Sequence, residues 1–262
     1  MAEDSAVARD GAAPTPSMPD FSDVRAVAFD CYGTLIDFGD AHFIDLMGVV
    51  ALQNALSIEG KALFDRWLAA SKEVWRDRGR DPERPTAGPE PRFGTYTEIW
   101  AEMFARAFSA LECSGDARGA HDLLVQHLSQ AQPFPETREV IETLRPRYRL
   151  CVLSNADDEW LQASLGRADL RFELIVSSES ARSYKPRAKI FHDTAALLGL
   201  PPRQVLYVGD SPIADVLGAR NAGLPVAWLN RYGAQRLENV PQPDVEVTDL
   251  RGLLPHLLPA TR

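Results

Sequence analysis

The sequence contains few cysteines and no long apolar run. Cys31, Cys113 and Cys151 are a sparse, odd set in 262 residues, which argues against a disulfide scaffold and favours a reducing, cytoplasmic setting. No apolar stretch approaches the roughly 20 residues that a membrane-spanning helix needs, so we expect no membrane partner. Residues 1–20 lack the basic start and apolar block of a signal peptide. We expect this segment to form a disordered N-terminal tail.

Clustered positive charge is also lacking. Lysine and arginine number 28 against 37 aspartates and glutamates, which gives a net charge of −9. Proteins that bind nucleic acid need grouped basic residues to neutralise phosphates, so we expect a small-molecule substrate and no nucleic acid. The 45% hydrophobic and 25% charged content is typical of a globular protein. The length fits one large domain, or one domain with an insert, and the oligomeric state stays open.

Short apolar runs, each followed by a turn and a helical pattern, predict buried strands. They do not alternate with polar residues, which is typical of strands covered on both faces. From residue 134 onward, helical and strand patterns alternate along the chain, which predicts an α/β fold with a parallel sheet. The predicted strands are 24–29, 150–153, 174–176, 205–208 and 226–229, with a sixth candidate at Val245 and Val247.

A segment of about 95 residues separates the first predicted strand from the rest. Its apolar residues recur at helical spacing over 63–75, 96–111 and 123–128, without strand signals. The charged, proline-rich stretch 76–92 predicts a loop between two of these helices. We therefore expect a core formed by 21–38 and 134–262, interrupted by a helical insert at 39–133.

Polar residues follow four of the predicted strands. Because ligands bind at the carboxyl ends of strands in open parallel sheets, these residues are candidates for one site. A strand-end aspartate can act as a nucleophile, and a nearby lysine keeps it ionised. Converging carboxylates repel one another unless a divalent cation such as Mg²⁺ neutralises them. Each residue alone has an ordinary explanation as a turn or a cap, but together they predict a site. They are Asp30, Ser154, Lys185, Asp210 and Asp215.

These segments resemble the four ordered motifs of the haloacid dehalogenase (HAD) superfamily. The motifs are Phe-Asp-Cys-Tyr-Gly-Thr-Leu at 29–35, Leu-Ser-Asn at 153–155, Tyr-Lys-Pro at 184–186, and Val-Gly-Asp-Ser at 208–211 with Asp215 following. The helical insert stands between the first two motifs, where the family carries a cap. The resemblance implies a Rossmann-like, doubly wound parallel sheet with an inserted helical cap domain that selects the substrate.

The resemblance also implies a role for each matching residue. Asp30 is expected to be the nucleophile, with Lys185 steadying charge and the hydroxyls of Thr34 and Ser154 contacting the transferred group. The expected Mg²⁺ ligands are Asp30, Asp210, Asp215 and the backbone carbonyl of Tyr32. The expected substrate-binding residues are Tyr32, Gly33, Asn155 and Ser211.

Two motifs favour different branches of the superfamily. Its phosphatases usually have an aspartate as general acid two residues after the nucleophile, whereas Tyr32 at that place is similar to the 2-haloacid dehalogenases. Those metal-free enzymes tend to have Ser-Ser-Asn where this chain has Gly209-Asp210-Ser211. The pair Asp210 and Asp215 favours a Mg²⁺-dependent phosphatase of a small phosphorylated metabolite. The alternatives are a metal-independent 2-haloacid dehalogenase and a catalytically weak binding or regulatory protein.

Overall fold

A computed structural model describes residues 20–258, so the predicted tail lies outside the described residues except for Asp20. The described chain forms a six-stranded, wholly parallel sheet in the order β3-β2-β1-β4-β5-β6. This architecture confirms the predicted α/β class. The strands are β1 (Ala26–Phe29), β2 (Arg149–Ser154), β3 (Leu174–Ser177), β4 (Val205–Gly209), β5 (Val226–Leu229) and β6 (Val245–Val247).

Helices cover both faces of the sheet, because successive side chains of each strand point to opposite sides. Val27 and Phe29 of β1 pack in one cluster with apolar residues of helices α5 (Thr137–Leu144) and α6 (Asp158–Arg167). Ala26 and Ala28 pack in another cluster with residues of α8 (Ala188–Leu197) and α9 (Gly218–Asn221). No helix in 20–258 is both long and apolar enough to cross a membrane. The helices of the core are α5 (Thr137–Leu144), α6 (Asp158–Arg167), α7 (Ser178–Ala181), α8 (Ala188–Leu197), α9 (Gly218–Asn221) and α10 (Leu254–Leu257).

Four helices lie within the predicted insert 39–133, ahead of α5, and they are α1 (Asp40–Gln53), α2 (Gly60–Asp77), α3 (Tyr96–Ala110) and α4 (Ala117–Leu128). The apolar spacing predicts α2, α3 and α4 but not α1, whose apolar residues surround the helix instead of forming one stripe. Gly60 allows α2 to pack closely on α1, because a Cβ atom there would lie 2.2 Å from the carbonyl oxygen of Ile44.

The strand order brings the first and fourth predicted motifs side by side. The chain proceeds outward from β1 through β2 to β3, and then returns to place β4 on the other side of β1. Such a reversal opens a crevice at the carboxyl ends of the two central strands. The backbone N–H of Asp30 donates to the carbonyl of Val208 at 2.8 Å, so Asp30 and Asp210 leave neighbouring strands at the same edge.

Candidate active site

Asp30 lies at the centre of this crevice and is almost completely buried. Its Oδ1 atom accepts hydrogen bonds from Lys185 Nζ at 2.6 Å and from Ser154 Oγ at 3.0 Å. Within residues 20–258, no hydrogen bond competes for its Oδ2 atom. One carboxylate oxygen is therefore fixed by two donors, and the other is available to a reacting group.

Lys185 is a buried cation shared by two carboxylates. Its Nζ atom donates to Asp215 Oδ1 at 2.7 Å as well as to Asp30, and also lies 2.9 Å from the Tyr207 hydroxyl. Burial alone lowers the pKa of Lys185, but the negative charges of Asp215 and Asp30 outweigh it and raise that pKa above its ordinary value. The ammonium group therefore stays charged beside Asp30 at all working pH values.

Asn155 positions Lys185 through its backbone. The Oδ1 atom of Asn155 accepts from the N–H of Lys185 at 2.8 Å, and its Nδ2 atom donates to the carbonyl of Lys185 at 3.2 Å. Both ends of the amide are thus occupied by protein groups. Sequence analysis assigns Asn155 to substrate binding, which stays a prediction.

Three carboxylates converge at the strand ends. Asp30, Asp210 and Asp215 each offer an oxygen atom, and these oxygens lie within 4.8 Å of one another. Removal from water, together with the nearby charges of Asp215 and Asp30, raises the pKa of Asp210 to about 8. Burial likewise raises the pKa of Asp215. One lysine cannot balance three carboxylates, and hard oxygen ligands in this number fit a divalent cation such as Mg²⁺.

Thr34 and Ser211, two residues that the sequence predicts at the site, orient two of these carboxylates. Thr34 Oγ1 donates to Asp210 Oδ1 at 3.0 Å, and the backbone N–H of Ser211 donates to Asp215 Oδ2 at 2.8 Å. Ser211 Oγ accepts from the N–H of Ala214, which caps the helical turn Pro212–Leu217. The predicted contacts of Thr34 and Ser211 with substrate stay predictions, and their present partners hold the carboxylates in place.

Gly33 is required by the close approach of the first and fourth motifs. Its φ of +85° favours glycine, and a Cβ atom there would lie 2.6 Å from Asp210 Oδ2. Any larger residue would push against the carboxylate group of Asp210. Sequence analysis assigns Gly33 to substrate binding, which stays a prediction, and the structure places this glycine against Asp210.

A family model described as haloacid dehalogenase-like hydrolase matches residues 24–223. The chain belongs to this family. It is therefore a HAD-like hydrolase, as the four motifs indicate.

Curated relatives of this hydrolase fall into both branches. Haloacetate dehalogenase H-2 of Moraxella sp. (strain B) is 29% identical over 239 residues, covering 90% of this chain and 98% of the relative. Phosphoglycolate phosphatase of Escherichia coli (strain K12) is 28% identical over 256 residues, covering 92% and 95%. The crystal structure of L-2-haloacid dehalogenase from Xanthobacter autotrophicus superposes with a TM-score of 0.69 at 24% identity, covering 89% and 98%. That structure confirms the fold.

The side chain of Tyr32 is directed away from the carboxylates of this hydrolase. Its hydroxyl lies 2.7 Å from Ser164 Oγ on α6, and its ring packs 5.4 Å from the ring of Trp160. The half-buried Tyr32 therefore contributes to the packing between the first motif and α6. The prediction that its backbone carbonyl binds metal stays a prediction.

A cavity of about 400 Å³ leads to the carboxylates. Gly33 and Asp210 form its inner end, and the start of α1 forms its outer wall. This size fits a small metabolite better than a polymer. Its lining residues are Gly33, Gly39, Asp40, Ala41, His42, Asp210 and Tyr232.

Buried polar contacts fix the helical segment 39–133, here named the cap, against the sheet-bearing rest of the described chain, here named the core. Asp157 of the core accepts hydrogen bonds from the N–H groups of Tyr96 at 2.6 Å and Thr97 at 2.8 Å, and so caps α3. The guanidinium group of Arg187 donates to three successive carbonyls in the cap loop 87–89. Arg187 lies two residues after Lys185, so the segment that carries the lysine is also the segment that holds the cap.

Sequence analysis misses three further residues of the site. The Tyr207 hydroxyl lies 3.2 Å from Asp215 Oδ1 and 2.9 Å from Lys185 Nζ. Arg231 donates to the carbonyl of Thr34 at 3.0 Å and pairs with Glu136 at 2.7 Å. A polar hydroxyl in the otherwise aliphatic strand β4 is the one sequence signal for Tyr207, whereas long-range pairing leaves no local signal for Arg231 or Glu136.

The clustered carboxylates predict an unusual pH dependence of stability. Asp210 has an ordinary pKa of 3.8 and a folded pKa of about 8, so between these values the folded state binds a proton that the unfolded state releases. The free energy of unfolding of the metal-free protein should therefore fall as pH rises from about 4 to about 8, by up to about 1.4 kcal/mol per pH unit. Urea unfolding in a chelator at several pH values measures this slope.

The matched variant for this measurement is Asp210→Asn, which removes the titrating group and keeps its shape. We expect its slope to be smaller than that of the wild type and its metal-free stability at pH 8 to be higher. Equal slopes for both proteins would contradict the assignment of the raised pKa to Asp210. Saturating Mg²⁺ should flatten the wild-type slope, because a bound cation favours the ionised carboxylates.

Proposed function

We propose that this hydrolase is a Mg²⁺-dependent phosphatase of a small phosphorylated metabolite. The observation that carries the proposal is the convergence of Asp30, Asp210 and Asp215 within 4.8 Å. The buried Lys185 offsets only part of their charge. The best remaining source of positive charge is a divalent cation, which phosphoryl transfer uses and halide displacement at carbon does not need.

The charge balance of the site separates the two chemistries. A haloacid carries one carboxylate, and a metal-free enzyme that binds it must offer net positive charge. Asp210 and Asp215 supply no such positive charge, because with their raised pKa values they are neutral when protonated and repel that substrate when ionised. A phosphate monoester carries more negative charge still, but it brings oxygen ligands that complete a Mg²⁺ shell together with the carboxylates.

The chain's own residues supply the covalent chemistry. The free Oδ2 atom of Asp30 would attack phosphorus, forming an aspartyl phosphate as the bond to the leaving group breaks. Lys185 holds Oδ1 of Asp30 and keeps the carboxylate oriented. The Ser154 hydroxyl, 3.0 Å from Asp30 Oδ1, lies close enough to donate to a phosphoryl oxygen instead. Water would then attack phosphorus, and the electron pair of the broken bond returns to Asp30.

When bound, the cation would neutralise charge on the phosphoryl oxygens. Its ligands would be the carboxylates of Asp30, Asp210 and Asp215, with the backbone carbonyl of Tyr32 as a fourth. Thr34 and Ser211 would keep two of these carboxylates in position.

The second candidate is a 2-haloacid dehalogenase, and Tyr32 favours it. Departing halide needs no proton, so an active site built for halide displacement has no use for a general acid at that position. The relative haloacetate dehalogenase H-2 matches 90% of this chain at 29% identity, which supports the same candidate. In this alternative Asp30 would attack carbon, and water would hydrolyse the resulting ester.

A paired assay distinguishes the two activities. Phosphate release from a small aryl phosphate and halide release from 2-chloropropionate are measured on one preparation, with Mg²⁺ and with a chelator. We expect phosphate release that needs Mg²⁺ and no halide release. Halide release indifferent to the chelator would replace the phosphatase with the dehalogenase, and turnover of neither substrate would favour a binding or regulatory protein.

A further inference from the structure

The Tyr32 hydroxyl cannot serve the leaving group of a phosphate ester. It lies 2.7 Å from Ser164 Oγ and 3.4 Å from the carbonyl of Trp160, both on α6. Its ring is held between Trp160 and Phe38, at centroid distances of 5.4 and 6.5 Å. Reaching the phosphorus beside Asp30 would require the ring to leave this packing.

Lys185, the other nearby donor, is also committed to protein partners. Its Nζ atom donates to Asp30 Oδ1 at 2.6 Å and to Asp215 Oδ1 at 2.7 Å, and it lies 2.9 Å from the Tyr207 hydroxyl. Since the Tyr32 hydroxyl and the Lys185 ammonium group both have partners in the protein, neither side chain is placed to give a proton to a leaving group.

The remaining titratable groups near the cavity are also unsuited. Asp40, His42 and Tyr232 line its mouth, and none of the three makes a hydrogen bond to the carboxylate cluster in the described residues. The ring of His42 stacks on Phe38 at 5.3 Å, and its Nδ1 atom accepts from the N–H of Gly39 at 3.3 Å. The buried acids Glu136 and Asp157 are committed, one to an arginine and the other to two backbone N–H groups of α3. Outside the three converging carboxylates, the described part of the chain thus places no poised acid at the leaving-group side of Asp30.

We infer that the natural substrates are acyl or aryl phosphates, whose leaving groups depart as stabilised anions. This inference rests on the proposed phosphatase activity and specifies its substrate class. An oxygen of Asp30 bonds to phosphorus while the bond from phosphorus to the leaving oxygen breaks. The electron pair departs with the carboxylate or phenolate, which needs no proton. In the second step water attacks phosphorus, its proton passes to a phosphate oxygen, and the carboxylate of Asp30 is regenerated.

The test is a leaving-group series on the Mg²⁺-loaded protein. The ratio kcat/KM is measured for acetyl phosphate, for aryl phosphates of graded phenol acidity and for glycerol phosphate. We expect the alkyl ester to be slower than the best aryl ester by about 10²–10⁴-fold, the usual contribution of a general acid. Rates within tenfold of each other across the series would overturn the inference.

Two variants at one position sharpen the test. Aspartate lacks the ring and the hydroxyl that hold Tyr32 against α6, so Tyr32→Asp leaves a short carboxyl group free to turn toward the crevice. We expect it to raise the alkyl-to-aryl ratio at least tenfold. Tyr32→Phe removes only the hydroxyl, so the ratio should stay within threefold of wild type. A large fall in that ratio with Tyr32→Phe would show that the hydroxyl is the acid. If Tyr32→Asp fails to fold, the wild-type leaving-group series alone tests the inferred substrate class. If no phosphate is turned over, acetyl phosphate included, the phosphatase proposal itself is overturned.

Discussion

Asp30→Asn is expected to abolish turnover, lowering kcat by roughly 10⁴-fold or more, as loss of a catalytic nucleophile does elsewhere. Asparagine keeps the shape of the side chain and can still accept from Lys185 and Ser154, but its amide cannot attack phosphorus or carbon. The prediction applies to either proposed activity, because both begin with attack by this carboxylate. It is measured by steady-state kinetics with an aryl phosphate and Mg²⁺.

The matched control is Asp23→Asn, which makes the same chemical change at an exposed residue ahead of β1. It should keep wild-type kinetics. Circular dichroism of Asp30→Asn should match the wild type, since the substitution removes a charge from an overcrowded cluster. Folded Asp30→Asn with more than a tenth of wild-type activity would refute the role of Asp30 as nucleophile.

The second large effect is expected for Lys185→Met, which should lower both the free energy of unfolding and the rate of turnover. Lys185 is 2% exposed and pairs with both Asp30 and Asp215. Its removal leaves two buried carboxylates without their cation, a change that typically costs about 3–5 kcal/mol. We expect urea unfolding in a chelator to show a loss of this size, and turnover to fall with it.

Lys189→Met provides the control, because Lys189 is an exposed residue of α8 in an ion pair with Asp193. Surface pairs of this kind contribute little, so its free energy of unfolding should stay within about 0.5 kcal/mol of wild type. Mg²⁺ should recover part of the stability of Lys185→Met by supplying positive charge to the same carboxylates. A loss below about 1 kcal/mol in the chelator would contradict the shared-cation geometry.

The core of the fold was predictable because its signals are local. Apolar runs without alternation mark strands covered on both faces, and β5 matches its predicted range 226–229 residue for residue. Helix α1 escaped prediction since its apolar residues form no single stripe. Its burial depends on α2 and α4, which contact it from the rest of the cap, and a sequence window does not contain those contacts.

The candidate site shows the same limit at the level of side chains. The sequence predicts Asp30, Lys185 and Asp210 as site residues, because each follows a predicted strand. A carboxylate nucleophile, a lysine that keeps it ionised and a second carboxylate are residue types that can act together at one site. The sequence does not identify Arg231, which reaches the carbonyl of Thr34 from 197 residues away in the chain. The direction of the Tyr32 ring also depended on packing against α6, and that direction excludes Tyr32 as a general acid.

The most direct test of the central claim is the chemical identity of the group that Asp30 carries during turnover. The protein is mixed with acetyl phosphate and Mg²⁺, quenched rapidly in acid, and mapped by peptide mass spectrometry. We predict a phosphoryl group on the peptide that contains Asp30, and none in a chelator or in Asp30→Asn. An ester of Asp30 formed from a 2-haloacid without metal, with no phosphoryl adduct under any condition, would contradict the account.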